Sequence, residues 1–236
     1  MTAQTLDTRR AIILYDDALV SHAHPELFMP QHWARGQAPV QTVGGRGQAW
    51  IVAGDGMPWV LRHYRRGGLA AQILRDLYLW TGLRNTRPWR EWLLLAELYK
   101  EGLPVPRPVA AQVQRYGPWY RGDLITSLIP DSQSLAARVR ALAGGAIPWG
   151  PIGACIRRFH DSGVCHADLN AHNILLDRHG RVFIIDFDRG RRRPPAPAWQ
   201  RANLARLQRS LRKLSGTAEP AAGVWSALLE GYRSKH

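Results

Sequence analysis

The chain has 236 residues, of which 45% are hydrophobic and 21% are charged, and its formal net charge is +14 at pH 7. This composition is typical of a globular protein and excludes an intrinsically disordered chain. Two cysteines are too few for a disulfide framework or a cysteine-based zinc site, and no apolar run approaches the roughly 20 residues of a membrane span. We expect one large domain or two small lobes on the cytoplasmic side, without a signal peptide.

The excess of basic charge favours an anionic partner, which can be nucleic acid, an acidic membrane surface or a phosphorylated substrate. The charge is clustered rather than spread evenly, since residues 189–213 contain nine basic residues and no acidic one. This clustering argues against a surface that is basic only for solubility.

The first half of the chain is predicted to be rich in β-strands. Residues 1–38 look irregular, with possible short strands near AIILYD (11–16). The β-favouring stretches that follow, with GDG as a hairpin turn, predict three strands near 39–43, 48–53 and 57–64. The stretch from Leu103 to Ile129 returns to β character.

A helix is predicted over residues 87–102 between these strands. Trp92, Leu95, Leu98 and Tyr99 recur at helical spacing, and Gly102 suits the end of the helix.

The second half of the chain is predicted to be mainly helical with one small β-hairpin. The helices are expected over 134–143, 151–163, 197–216 and 221–235. NILLD (173–177) and VFIID (182–186) form two short apolar strands around a polar turn, which predicts a hairpin. The chain therefore divides into residues 1–129 and residues 130–236.

Three polar residues flank the predicted hairpin. Asp168 precedes its first strand, Asn173 begins that strand, and Asp186 ends the second strand. Because antiparallel strands bring these two ends together, we expect the three side chains to converge. Carboxylate and amide oxygens suit Mg²⁺ that is shared with phosphate oxygens. The alternative, that each residue only forms a turn, explains one of them better than all three.

The same segment resembles the catalytic core of protein kinases. HADLNAHN (166–173) is similar to H-R-D-x-x-x-x-N, and DFD (186–188) is similar to D-F-G, with matching spacing. The resemblance implies an α+β, bilobal, protein-kinase-like fold, with an antiparallel N-lobe sheet, one inserted helix and a reduced helical C-lobe. It also implies that Asp168 is the catalytic residue, that Asn173 and Asp186 hold Mg²⁺, and that His166 is a structural support.

The resemblance also assigns an ATP phosphate-binding role to a glycine loop in the N-lobe. The string VGGRGQAWIV (43–52) stands where a glycine-rich loop belongs, although the pattern is not G-x-G-x-x-G. Backbone amides can approach phosphate closely where side chains are absent. The glycines expected to bind phosphate in this way are Gly44, Gly45 and Gly47.

An ion pair is expected beside the ATP phosphates. WVLRHY (59–64) resembles the V-A-I-K strand of kinases with Arg62 at the lysine position, and His63 would replace it if the register differed by one residue. Glu91 is the expected ATP-site partner of Arg62, with Glu97 as the alternative.

Longer strings are similar to one kinase family. Ala167 replaces the arginine that reads a phosphorylated activation loop, and the 48 residues after Asp188 are too few for a peptide-binding lobe. LRHYRRGG (61–68), DFDRGRRR (186–193) and WQRANLARLQRSLRK (199–213) resemble the 3-deoxy-D-manno-octulosonic acid (Kdo) kinases of the lipopolysaccharide kinase family. The resemblance covers roughly residues 30 to 236.

Membership of this family would imply transfer of the γ-phosphate of ATP to the 4-hydroxyl of Kdo on a lipid A precursor. The reaction would take place at the cytoplasmic face of the inner membrane, with the enzyme peripheral to an anionic membrane surface. Asp188, Arg189 and Arg191 are candidates for acceptor binding because they follow Asp186 directly. Arg192 and Arg193 extend the same basic run.

The predicted helix after residue 197 is basic and amphipathic. Leu204, Leu207 and Leu211 can either pack in the core or lie on lipid. Packing in the core, with the arginines facing outward, is the preferred interpretation.

Several alternatives to a Kdo kinase stay open at this point. The acceptor can be a heptose or another small molecule. The protein can instead be a catalytically inactive kinase-like scaffold, because Arg62 and the GGRG loop depart from the kinase pattern. The charge and the tryptophans also suit a nucleic-acid-binding protein, but no nucleic-acid-binding module is recognisable. We therefore expect no nucleic-acid partner and no obligate protein partner.

Overall fold

The structure is a computed structural model that describes residues 2–34, 41–43, 49–65, 76–141, 147–215 and 223–234. The chain forms two compact units. The first contains Met1–Ala96 and Arg107–Leu128, and the second contains Glu97–Pro106 and Ile129–His236. The boundary predicted from the sequence, between residues 129 and 130, assigns residues 97–106 to the first unit. They join the second because the Ile184 amide donates to the Pro104 carbonyl and Arg158 donates to the Gly102 carbonyl.

The first unit is built on an antiparallel sheet. Its strands are β1 (Ala3–Asp7), β2 (Ile12–Asp16), β3 (Gln41–Val43), β4 (Ala49–Ala53), β5 (Pro58–His63), β6 (Tyr78–Leu79), β7 (Pro108–Tyr116) and β8 (Trp119–Ser127). They lie in the order β1-β2-β7-β8-β5-β4-β3, and β6 pairs with β8 beyond the end of β5. The three strands predicted between residues 39 and 64 are confirmed as β3, β4 and β5.

The prediction that residues 1–38 are mostly irregular is wrong. Besides β1 and β2, this segment forms a 3₁₀ turn at Pro25–Phe28 and the short helix α1 (Pro30–Ala34). The sequence signal of β1 is weak because the strand lies at the sheet edge and is largely exposed, so it lacks an alternating apolar pattern. Leu27 and Phe28 belong to the same buried apolar cluster as Trp59 and Leu61 of β5, which makes this segment part of the core.

Helix α2 (Arg87–Lys100) follows the predicted pattern. Trp92, Leu95 and Leu98 are buried, whereas Tyr99 is 41% exposed and lies outside the apolar stripe. The helix ends at Gly102, which adopts a φ of 72° that L-residues with side chains disfavour. The Gly102 and Leu103 amides donate to the carbonyls of Tyr99 and Leu98, which satisfies two of the carbonyls that the helix end leaves free.

The second unit combines helices with short strands. The helices are α3 (Leu135–Ala141), α4 (Trp149–Asp161), α5 (Pro197–Ser215) and α6 (Val224–Arg233). The strands are β9 (Gln133–Ser134), β10 (Val164–Cys165), β11 (Ile174–Leu176), β12 (Val182–Ile184) and β13 (Arg191–Arg192). β11 pairs with β12 and β9, and β10 pairs with β13, all antiparallel. The predicted hairpin and the predicted helices are therefore confirmed within the described residues.

Local hydrogen bonds close the hairpin turn between β11 and β12. Asp177 accepts hydrogen bonds at Oδ1 from the amides of His179 and Arg181, and at Oδ2 from Arg181 Nε at 2.6 Å. An aspartate that binds the backbone of its own turn fixes the turn and thereby the strand register. Ile174 lies opposite Ile184 as a result.

Candidate active site

The hairpin register places Asn173 beside Asp186. The Ile185 amide donates to the Asn173 carbonyl at 3.0 Å, so Asp186 is one residue beyond the position directly across from Asn173. The Asn173 side-chain amide donates to the Asp168 carbonyl at 2.9 Å. The structure therefore brings Asp168, Asn173 and Asp186 to one end of the hairpin.

His166 holds this arrangement together as a buried support. Its Nε2 lies 2.9 Å from the Ile185 carbonyl oxygen, and its Nδ1 accepts a hydrogen bond from the Asp168 amide at 3.1 Å. This pattern requires the neutral tautomer with the proton on Nε2. Burial lowers the pKa of His166, and its ring packs against Phe187 with centroids 4.8 Å apart. A buried, neutral histidine with both nitrogens bonded positions its neighbours rather than carrying protons.

The Asp168 carboxylate is exposed, and two side chains hold it. Asn170 Nδ2 donates to Oδ2 at 3.2 Å, and Arg206 Nη1 lies 3.1 Å from Oδ1. The two oxygens are thus fixed by different partners, one of them cationic. A carboxylate held in one orientation is suited to accept a proton from a hydroxyl group.

Arg206 reaches Asp168 because α5 packs beside the loop that carries this aspartate. Ser210, one turn after Arg206, accepts a hydrogen bond from the Ala171 amide at 3.1 Å. Arg206 was not among the site residues predicted from the sequence. The sequence shows only that Arg206 and Ser210 are four residues apart on an amphipathic helix. This spacing puts them on one side of the helix but does not identify Asp168 as the partner of Arg206.

The leucines of α5 confirm the preferred packing of the predicted amphipathic helix. Leu204, Leu207 and Leu211 are all buried. The apolar face of α5 is therefore used inside the protein.

The residues at this end of the hairpin fit a Mg²⁺ ion that is shared with phosphate. Asn173 is 8% exposed and uses its amide nitrogen toward Asp168, which leaves the amide oxygen as its acceptor group. Among the described residues, no group of three or more His, Cys, Asp or Glu side chains forms a metal cage. An amide oxygen and a carboxylate are of the chemical type that suits Mg²⁺, which keeps waters and substrate oxygens in its shell.

The backbone around Asp186 adopts rare conformations. Asp186 has a φ of 64° and Arg189 a φ of 67°, which places two residues with side chains in the left-handed region. Such conformations persist only where surrounding contacts impose them, and they are concentrated at functional sites. Phe187 between them is 1% exposed and stacks on Phe159 at 5.8 Å.

In the first unit, Arg62 and Glu91 form an ion pair. Arg62 Nη2 lies 2.6 Å from Glu91 Oε2, and the Tyr64 hydroxyl also donates to Glu91. Glu91 is 3% exposed, so its charge is desolvated and compensated by this pair. His63 points elsewhere, with Nδ1 2.6 Å from Asp123 Oδ1, so the register with Arg62 in the lysine-like position is the observed one.

Glu97, the alternative partner, belongs to the second unit and contacts Arg192 instead. Arg192 Nε lies 3.4 Å from Glu97 Oε2, and the same guanidinium binds Glu101 and the Ser162 carbonyl. Arg192 is thus a structural residue.

The other residues after Asp186 keep their predicted role as acceptor-binding candidates. Arg189 and Arg191 are exposed, and Asp188 is half-buried. The acceptor-binding role of Asp188, Arg189 and Arg191 stays a prediction.

The predicted phosphate loop is not confirmed by the structure. Gly44, Gly45 and Gly47 lie outside the described residues, which end at Val43 and resume at Ala49. The described strands β3 and β4, which precede and follow them in the chain, pair with Val43 opposite Ala49. The phosphate-binding role of Gly44, Gly45 and Gly47 stays a prediction.

Among the described residues, we find no helix with the length and apolar character needed to cross a membrane.

Comparison with known proteins gives consistent matches. Residues 30–232 match the lipopolysaccharide kinase (Kdo/WaaP) family. The 3-deoxy-D-manno-octulosonic acid kinases of Stenotrophomonas maltophilia (strain R551-3) and Xanthomonas campestris pv. campestris (strain B100) are each 49% identical to this chain over 204 residues, which cover 86% of this chain and 81% of the relative.

A solved structure, WaaP in complex with acyl carrier protein, resembles the chain with a TM-score of 0.54 and 16% identity, over 84% of this chain and 80% of that one. This likeness supports the predicted α+β, kinase-like fold class, which is confirmed. The match over residues 30–232 and the 49% identity of the relatives decide the family. The chain therefore belongs to the lipopolysaccharide kinase (Kdo/WaaP) family and is a phosphotransferase with an alcohol group as acceptor.

Proposed function

We propose that this kinase transfers the γ-phosphate of ATP to the 4-hydroxyl of the Kdo sugar on a lipid A precursor. The observation that carries the proposal is the Asp168 carboxylate, held by Asn170 and Arg206 next to Asn173 and Asp186. The choice of Kdo rests on the relatives that are named Kdo kinases and are 49% identical to this chain. The kinase family itself implies ATP as the donor.

In the proposed mechanism, Asp168 orients the acceptor hydroxyl and accepts its proton as the oxygen attacks the γ-phosphorus, and the bond from that phosphorus to the β–γ bridging oxygen breaks to release ADP. Asn170 and Arg206 keep the two carboxylate oxygens in place, so little reorganisation is needed when the acceptor binds. Phosphoryl transfer depends mainly on such positioning and on charge stabilisation.

Asn173 and Asp186 would hold Mg²⁺, which neutralises charge on the ATP phosphates when it is bound. In the first unit, Arg62 is oriented by Glu91 and would contribute a cation for the ATP phosphates. Arg189, exposed after Asp186, would bind anionic groups of the acceptor together with Arg191.

We further propose that the protein works at the cytoplasmic face of the inner membrane as a peripheral protein. The support is the net charge of +14, which attracts an anionic lipid surface, together with an acceptor that carries a lipid. Because the chain belongs to a kinase family, we prefer the kinase function to the alternative of a nucleic-acid-binding protein.

Transfer of labelled γ-phosphate from ATP to a purified Kdo–lipid A precursor tests the proposal, with Asp168→Asn as the control. Labelled glycolipid is expected with the wild-type protein and not with the variant. Label on a heptose-bearing acceptor alone would replace Kdo by heptose as the acceptor sugar. No label on either acceptor, from protein that binds Mg·ATP, would refute the proposed reaction.

A further inference from the structure

Tyr64 lies beside the ion pair of Arg62 and Glu91 and contacts both of its members. The Tyr64 amide donates to the Gly122 carbonyl at 3.0 Å, which continues the pairing of β5 with β8. Tyr64 follows Arg62 by two residues, so both side chains leave the strand on the same face of the sheet. The Tyr64 hydroxyl donates to Glu91 Oε2 and accepts a hydrogen bond from Arg62 Nη2 at 3.3 Å. Tyr64 is buried, so this hydroxyl is part of a desolvated cluster.

The contact between Arg62 and Glu91 is made through one terminal nitrogen of the guanidinium. Arg62 Nη2 lies 2.6 Å from each of the two Glu91 carboxylate oxygens. A guanidinium that meets a carboxylate with two nitrogens is fixed in its plane, whereas a contact through one nitrogen allows rotation about that contact. This contact therefore fixes where the cation lies and does not by itself fix the direction of its fork.

The Tyr64 side chain restricts this rotation. The guanidinium carbon of Arg62 lies over the Tyr64 ring, 4.9 Å from the ring centroid. A cation over an aromatic face is attracted by the ring quadrupole, and the flat guanidinium can stack on the ring. The ring and the hydroxyl of Tyr64 thus hold the Arg62 guanidinium at two points, in addition to the carboxylate of Glu91.

The cluster around Tyr64 carries an excess of positive charge. Arg87, the first residue of α2, has its guanidinium carbon 5.4 Å from the centroid of the Tyr64 ring and donates from Nη1 to the Tyr78 hydroxyl at 2.6 Å. These five side chains, Arg62, Tyr64, Tyr78, Arg87 and Glu91, therefore contain two cations and one carboxylate. Because the Tyr64 hydroxyl is a neutral donor, it satisfies Glu91 without changing this balance. A net positive charge attracts an anionic ligand such as the phosphates of a nucleotide.

The simplest alternative is that Tyr64 only fills space in the core. Phenylalanine would fill nearly the same volume, and a buried hydroxyl costs free energy unless it is hydrogen-bonded. The Tyr64 hydroxyl is bonded to the carboxylate and the guanidinium of the same ion pair. The hydroxyl therefore has a partner set that a space-filling role does not require.

We propose that Tyr64 is a positioning residue for phosphoryl transfer, which holds the Arg62 guanidinium in the orientation that binds the phosphates of ATP. The inference rests on the proposed function, in which Arg62 contributes a cation for these phosphates. Tyr64 acts through Arg62 and Glu91 and need not touch the nucleotide itself.

Calorimetric measurement of nucleotide binding tests this role and needs no sugar acceptor. The probes are Mg·ATP and adenosine, which has no phosphates. Tyr64→Phe removes only the hydroxyl. It should weaken the binding of Mg·ATP by about tenfold and leave the binding of adenosine unchanged, because the lost hydrogen bonds hold the group that meets the phosphates. A tyrosine that only stabilises the fold would change the affinity for both ligands or for neither.

A double-mutant cycle with Arg62→Lys tests whether Tyr64 acts through Arg62. Lysine keeps a cation beside Glu91 but has no plane to orient, so adding Tyr64→Phe to Arg62→Lys should weaken Mg·ATP binding by less than about twofold. Tyr120→Phe is the matched control, since it removes the hydroxyl of another buried tyrosine of this sheet, which accepts a hydrogen bond from the Arg87 amide. It should bind both ligands as the wild type does. Thermal unfolding of each variant checks that the fold is retained.

Equal affinity of the wild type and Tyr64→Phe for Mg·ATP would overturn the proposal. A tenfold loss from Tyr64→Phe that persists in the Arg62→Lys background would overturn it as well. The kinetic consequence is measured separately with the Kdo–lipid A precursor, where Tyr64→Phe should raise the KM for ATP by about tenfold and leave the KM for the acceptor unchanged. If the wild type phosphorylates no acceptor, the proposed reaction fails, and the calorimetric result still decides the role of Tyr64.

Discussion

The exposed Asp168 carboxylate owes its orientation to residues far from it in sequence as well as near it. Asn170 is two residues away, whereas Arg206 lies 38 residues later on α5. In solvent, an ion pair of this kind adds little to stability, since exposed pairs are usually worth about 1 kcal/mol or less. Its effect is expected on the geometry of the reaction instead, where a misplaced carboxylate lowers the rate.

Replacement of Arg206 should therefore change catalysis more than stability. We expect Arg206→Gln to lower kcat by about 10- to 100-fold with little change in the KM for ATP, since the carboxylate loses one of its two holders. Arg206→Lys should recover part of this loss, because it retains the cation without the planar fork. Steady-state kinetics at saturating acceptor measures both effects.

Arg209→Gln is the matched control for Arg206→Gln, since Arg209 is exposed on the same helix. An equal loss in both variants would mean that bulk charge, rather than the contact with Asp168, is responsible. Added guanidinium should restore activity to Arg206→Ala if the group acts at this position, and it would not restore a protein that had lost its fold.

At the scale of elements, the sequence predicts those parts whose pattern is local. Helix α2, helix α5 and the hairpin of β11 and β12 follow from apolar spacing and turn residues, and their positions are confirmed. The family predicted from the longer strings is confirmed as well. The exposed edge strand β1 gave no such pattern and was missed.

In the candidate site too, the sequence predicts the residues that a local pattern brings together and not those that depend on helix packing. Asp168, Asn173 and Asp186 lie within about twenty residues of one another, and a single hairpin register brings them together. The contact of Arg206 with Asp168 depends on how α5 packs, which no local pattern encodes. The assigned roles of these residues stay predictions.

The crossing of α4 and α6 gives a prediction at this scale. A Cβ on Gly153 would overlap the carbonyl oxygen of Leu228, so the two helix backbones are in direct contact there. Gly153→Ala should destabilise the second unit by about 1–3 kcal/mol, because the clash outweighs the gain of up to about 1 kcal/mol in helix propensity. Urea unfolding followed by circular dichroism gives the free energy difference.

Gly150→Ala is the matched control on the same helix. A Cβ at Gly150 meets no heavy atom within 4 Å, so this change should be neutral or slightly stabilising. If Gly153→Ala were as stable as Gly150→Ala, the helices would not be packed as closely as the structure indicates.

For the whole molecule, the two units carry histidines with opposite pKa shifts. In the first unit, the hydrogen bond to Asp123 raises the pKa of His63, with a further contribution from Asp76. In the second unit, burial lowers the pKa of His160 to about 4, and its Nδ1 is 2.8 Å from the Tyr232 hydroxyl oxygen. The stabilities of the units should therefore respond to pH in different directions.

The sign follows from proton binding in the folded and unfolded states. The stabilisation of the first unit by His63 is fully present below pH 6.5 and is lost as the pH rises through the raised pKa of His63 in the folded state. His160 is neutral in the fold, whereas the unfolded chain protonates it below about pH 6.5. Above about pH 6.5, His160 is neutral in both states and does not change the free energy of unfolding of the second unit. Between about pH 6.5 and 4, protonation of His160 in the unfolded chain lowers this free energy by up to about 1.4 kcal/mol for each pH unit of acidification.

Replacement of His160 should separate the two units in acid. We expect the second unit of His160→Phe to lose less stability than that of the wild type between pH 6.5 and 4, because phenylalanine cannot take up a proton. Phenylalanine also keeps an aromatic ring next to Trp199, whose ring centroid lies 5.0 Å from that of His160. His63→Gln should leave this slope unchanged and lower the stability of the first unit at low pH. Hydrogen exchange followed by mass spectrometry at several pH values reports each unit separately. The same acid slope in His160→Phe and the wild type would show that other groups govern the second unit, such as the carboxylate of Asp177, whose pKa is lowered in the fold.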